Sequence, residues 1–174
     1  MSMTLIEHIE LTGSETTIVL DAIPATYTDL YLLLSLRSDR SNNNSSLYLG
    51  MNGVATNQSS RTLQGNGSVV DSYAPAYIDL GQIAASTTTS NTFSNISVYI
   101  PNYTSSVAKS VSADGVNEDT VSEAYQTIIA GLWDSTAAIT SIELVHINAT
   151  NFVQYSSATL YGIKAGSDGT TTVS

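Results

Sequence analysis

Apolar residues in this chain recur mostly at every second position, in short runs broken by turn residues every ~8–15 positions. Such alternation puts one side of each segment into a core and leaves the other to solvent, which is the signature of β-strands. The pattern predicts strands at Leu5–Leu11, Thr16–Leu20, Asp29–Leu36, Ser46–Met51, Arg61–Gln64 and Ala76–Gly81 in the first half. The second half follows with Thr92–Ile100, Lys109–Ala113, Glu123–Trp133, Ile139–Ile147 and Gln154–Ile163. Asp29–Leu36 is the most apolar, and its Leu-Tyr-Leu-Leu-Leu run predicts a central strand buried on both sides. Asn52-Gly53 and Asp114-Gly115 are tight-turn signals. Ser38–Ser46 reads as a polar loop, and Ala84–Ser90 as a loop of small residues. Glu118–Tyr125 could form a helical turn, the one weak helical signal. An antiparallel sandwich with Greek-key connections is the simplest closure of so many short strands. The absence of a fixed-period repeat argues against a propeller or solenoid.

The 174 residues fit one domain. It spans residues 1–164, with Met1–Leu11 as an N-terminal strand or arm and 165–174 as a Gly/Ser/Thr-rich tail expected to be mobile. Only 11% of residues are charged, and Ser, Thr and Asn carry the polarity instead. Such a surface can pack against copies of itself without charge repulsion. The net charge is −10, with Arg37, Arg40, Arg61, Lys109 and Lys164 as the basic residues. So few cations argue against binding nucleic acid or an anionic membrane. No segment approaches the ~18 apolar residues of a membrane span, and the first residues lack a signal peptide's basic start and apolar run. The chain has no cysteine, so disulfides and thiolate chemistry are excluded. The Asn-x-Ser/Thr sequons at Asn57, Asn95 and Asn148 follow from composition.

Candidate chemistry is sparse. His8 and His146 fall on separate strands without a local partner at metal-ligand spacing, and read as strand-surface or interface residues. No Gly-x-Ser-x-Gly elbow supports a nucleophilic serine. The carboxylates are scattered rather than paired as a glycosidase requires. Asp114-Gly-Val-Asn-Glu-Asp119 gathers oxygen-bearing side chains that calcium favours, yet it reads more simply as a solvated turn, as does Ser38–Ser45. No cofactor, metal or catalytic residue is assigned, and the chain is read as a non-enzyme. Tyrosines number 10 against two phenylalanines and one tryptophan. Tyr73, Tyr77, Tyr99 and Tyr103 flank predicted turns, where they either line a contact surface or cap the ends of a sandwich.

Several separated motifs, in order, make the chain resemble a module of tailed-bacteriophage virion proteins. They are Ala-Ile-Pro-Ala-Thr-Tyr-Thr-Asp-Leu at 22–30, Ser-Leu-Arg-Ser-Asp at 35–39, Asn91–Asn95, Tyr99–Ser105, Ala130–Trp133, Ala138–Ile142 and Asn151–Ile163. The likeness runs from about Ile9 to Ile163. It implies an all-β, antiparallel jelly-roll β-sandwich of two sheets within a virion, synthesised in the host cytoplasm, and it carries no catalytic residues over. Some members form the end of a tail fibre. A short acidic jelly roll without a fibre shaft fits a head decoration (cement) protein better. The expected partners are then the chain itself, as a homotrimer, and the major capsid protein. Met1, Thr4, Leu5 and Ile6 of the arm are the candidate contacts. The other reading is a tail-fibre or receptor-binding module that recognises host glycans through Tyr- and Asn-rich loops.

Overall fold

A computed structural model describes residues 2–118, 124–148 and 150–165. Among the described residues there is no helix, and twelve β-strands form two antiparallel sheets, the architecture of a β-sandwich. In chain order they are β1 (Ser2–Glu10), β2 (Thr17–Leu20), β3 (Asp29–Leu36), β4 (Asn44–Met51), β5 (Gln58–Gly65) and β6 (Val70–Tyr73). Then come β7 (Ile78–Ala84), β8 (Ser94–Pro101), β9 (Lys109–Asn117), β10 (Tyr125–Trp133), β11 (Ile142–His146) and β12 (Ser157–Lys164).

The eight-stranded sheet runs β1-β12-β3-β8-β9-β10-β5-β6, and the four-stranded sheet runs β2-β11-β4-β7. Four of the pairings are nested: β1 with β12, β2 with β11, β3 with β8, and β4 with β7. The remaining strands are two insertions. β5 and β6 lie between β4 and β7 in the chain, and β9 and β10 lie between β8 and β11. They join beside β8 and extend the first sheet. β7 packs across β5, β8, β9 and β10, so the inner face of the extension is also covered.

The core fills the space between the sheets. β3 contributes Leu30, Leu32, Leu34 and Leu36, β4 Leu47, Leu49 and Met51, β7 Ile78, Leu80 and Ile83, and β12 Ala158 and Leu160. Burial alternates along β3, β8, β9 and β10, as a sheet with one covered face requires. β3 is central as predicted, but it is not buried on both sides. Tyr31 and Leu33 point outward and are half-buried only by their neighbours.

Three further expectations change. Asp114-Gly115 is no turn: it lies within β9, paired with both β8 and β10. Two flanking ladders outweigh the local preference for bending, and glycine suits the site because a Cβ there would meet Ile96 Cγ1 at 3.2 Å. Asp114 and Asn117 consequently face opposite sides of the sheet, exposed and buried, and do not converge on a cation. β6 follows the Gly65-Asn66-Gly67 break and was not legible as a strand. By contrast, Asn52-Gly53 does turn, with positive φ at both residues (53° and 75°). Residues 119–123, most of the possible helical turn at Glu118–Tyr125, and the tail from Gly166 onward lie outside the described residues.

Candidate functional site

The largest feature not consumed by the core is the outer face of the eight-stranded sheet. The strand pairing builds it in cross-strand rows. One row reads Leu5, Tyr161, Tyr31, Tyr99, Ser112, Ala130 and Arg61, crossing β1, β12, β3, β8, β9, β10 and β5. Each tyrosine has inward-facing neighbours in its own strand: Leu30 and Leu32, Val98 and Ile100, Leu160 and Gly162. Alternation therefore turns all three rings outward, and antiparallel register sets them side by side at ~4.8 Å between strands. Tyr99 donates to Asp29 Oδ2 at 2.9 Å; partial burial of the phenol, then Asp29, pushes its pKa up. The hydroxyls of Tyr31 and Tyr161 have no hydrogen-bond partner among the described residues.

Toward the β6 edge the same face becomes aliphatic. Ile128 sits directly opposite Leu63, with Val116, Val70 and Leu132 around them, each 41–72% exposed. Two shallow hollows of 340 and 310 Å³ flank Leu63. Charge is sparse here. Arg61 donates to the Ser60 carbonyl at 2.8 Å and meets no carboxylate among the described residues. Asp114 accepts from Ser97 Oγ at 2.6 Å.

The residues singled out from sequence do not form one cluster. Residues 2–10 are an integral strand, β1, rather than a free arm, and Met1 lies outside the described residues. Leu5 and Met3 project from the outer face, 55% and 57% exposed. A bulge between Leu5 and Glu7 turns Ile6 toward the core, while Thr4 opposes Gly162, away from Leu5's face. Tyr99 stands in the tyrosine row. Tyr73 is on β6 but turns to the inner side, where its hydroxyl donates to buried Asp79 at 2.7 Å. Burial, then the Asp79 carboxylate, holds that phenol protonated far above the usual range. Tyr77 packs against Tyr48 with ring centroids 5.9 Å apart. Tyr103 is fully buried and donates to the Pro24 carbonyl, so its ring belongs to the core and not to a contact surface.

Three buried polar residues complete the electrostatics. His146 is not a surface residue. Its ring lies on Phe152 (centroids 4.1 Å apart), Nδ1 is 3.2 Å from Ser45 Oγ, and Nε2 is buried with no hydrogen-bond partner among the described residues. Desolvation lowers its pKa to about 4, against a smaller opposing effect of Asp39. Lys109 is buried beside Trp133, with Nζ donating to the carbonyls of Ser105, Val107 and Ser135 at 2.7, 2.5 and 3.3 Å. Arg37 is held likewise in the loop after β7, by Thr88 Oγ1 and the carbonyls of Thr89 and Thr92. These cations tie loops to strands. Among the described residues, no three His, Asp or Glu side chains gather as a metal site.

The missed tyrosines, Tyr31 and Tyr161, had a sequence signal: each interrupts apolar residues at the outward position of its strand. Their alignment depends on register between distant segments. No family model, curated protein or solved structure matches the chain.

Proposed function

We propose that this chain is a structural protein of a phage virion, a capsid decoration (cement) protein that self-associates and binds the shell. The observation that carries the reading is the nested pairing β1–β12, β2–β11, β3–β8 and β4–β7. A long antiparallel ribbon rolled up on itself pairs its strands in this nested way, giving a jelly roll with β5–β6 and β9–β10 added at one side. The exposed apolar residues of the extended sheet support a scaffold that other proteins cover. The acidic, charge-poor composition suits docking onto basic patches of a shell.

The test is binding of the purified chain to heads of its own phage prepared without it, read by co-sedimentation and cryo-microscopy. Because β1 is part of the sheet, the variant is Met3→Glu/Leu5→Glu rather than a deletion. Saturable, ordered decoration by the native chain, lost in that variant, is expected. Density on the tail alone, or none on the particle, overturns the reading.

One observation favours a second reading, a tail-fibre module that binds host glycans. The row Tyr161–Tyr31–Tyr99 offers aromatic surface with two hydroxyls that have no partner among the described residues. On this reading a glycan array gives specific binding that Tyr31→Ala abolishes.

A further inference from the structure

We propose that the outer face of β9, β10, β5 and β6 is a two-fold self-contact, on which a second copy of this chain seats its own Ile128, Leu63, Val116, Val70 and Leu132. The inference goes beyond the virion reading and does not depend on it.

The register supplies the argument for a second copy. Asp114 on β9 pairs with Ile128 on β10, and Arg61 on β5 pairs with Ala130, two residues further along β10. The single cation and the nearby carboxylate therefore stand on opposite sides of the Ile128–Ala130 strip. A two-fold axis lying in the face, over the midpoint of that strip, exchanges the two positions. Two copies placed face to face about it bring Arg61 of each toward Asp114 of the other, twice, with aliphatic side chains between. An isologous contact needs this self-complementarity. It also gives Arg61 a carboxylate, which it lacks among the described residues of its own chain.

β9, β10 and β5 span about 14 Å at ~4.8 Å spacing with eight residues running ~26 Å, and four-residue β6 adds about 60 Å², a projected face of roughly 440 Å² to which the protruding side chains add. A stable pair buries about 800 Å² on each partner, so this contact belongs to the weaker class of specific pairs. β1, with Met3 and Leu5, lies at the other edge of the sheet, so this contact leaves that edge free for another partner.

Sedimentation velocity on the full chain tests the idea, with circular dichroism and thermal melting confirming that each variant folds. The native chain is expected to contain an even number of copies at about 100 μM. Arg61→Asp alone and Asp114→Arg alone each place like charges together and should halve that number, weakening the contact by at least about tenfold. Leu63→Thr/Ile128→Thr, which keeps strand-compatible side chains, should do the same. An equimolar mixture of the two single charge variants should reassociate, because a mixed pair restores both ion pairs; the double variant Arg61→Asp/Asp114→Arg should also reassociate. A native chain that sediments as one copy or an odd number, variants with unchanged mass, or a mixture that stays apart overturns the proposal.

Discussion

Gly162 offers the sharpest test of how β12 is packed. It pairs with Thr4 on one side and Leu30 on the other, and the Tyr27 ring lies flat against it. A Cβ added at Gly162 would sit 2.6 Å from Tyr27 Cδ1 and closer still to Cγ and Cδ2. Carbon atoms prefer ~3.5–4.0 Å, so the overlap is about 1 Å and the ring must leave its seat on the core. Gly→Ala in a strand otherwise gains about 0.5–1 kcal/mol from backbone entropy. Overpacking costs ~1–3 kcal/mol, and a partly expelled aromatic ring adds to that. Gly162→Ala is therefore expected to destabilise the fold by roughly 2 kcal/mol, a drop in Tm of about 4–8 °C for a chain of this size. In a Tyr27→Ala background the same change meets no ring and should be neutral or stabilising. Denaturant unfolding of the four proteins yields the coupling energy, expected at about 1.5 kcal/mol or more. A Gly162→Ala midpoint at or above that of the native chain, or the same loss in both backgrounds, would refute the reasoning.

Three other residues give distinct readouts. His146 is buried as the neutral ring, with its folded pKa at about 4, below the ordinary 6.5. Its contribution is therefore fully present above pH ~6.5 and is lost as pH falls toward 4, on the order of 3 kcal/mol at the limit; His146→Leu should flatten urea midpoints across that window. Lys109→Met leaves the carbonyls of Ser105, Val107 and Ser135 without their shared donor, and about 1–3 kcal/mol should be lost. Hydrogen exchange should then rise first in residues 102–108 and 134–138. Tyr73→Phe removes one donor from buried Asp79, leaving Thr62 Oγ1 at 3.2 Å and the Gly81 amide at 3.1 Å. A cost of about 1.5–3 kcal/mol in thermal unfolding is expected, with β6 losing protection before the rest of the sheet.

The pattern of side chains along the chain determined that this is an all-β molecule. It also located most strands, because alternation is a local property: each segment announces by itself which side wants to be dry. It determined the Asn52-Gly53 turn for the same reason, since the positive φ values it adopts are available to those residues anywhere. Only the tertiary structure decided that Asp114-Gly115 runs straight, because the two strands that hold it there come from residues 94–101 and 125–133. Only it decided that Tyr103 and His146 are interior while Tyr31 and Tyr161 share a row with Tyr99. Parity tells which way a side chain points relative to its own strand, but not which distant strand lies beside it or whether another layer covers it. The candidate surface is made wholly of such pairings, from β1 at one edge to β6 at the other, and they exist only once the eight-stranded sheet has assembled.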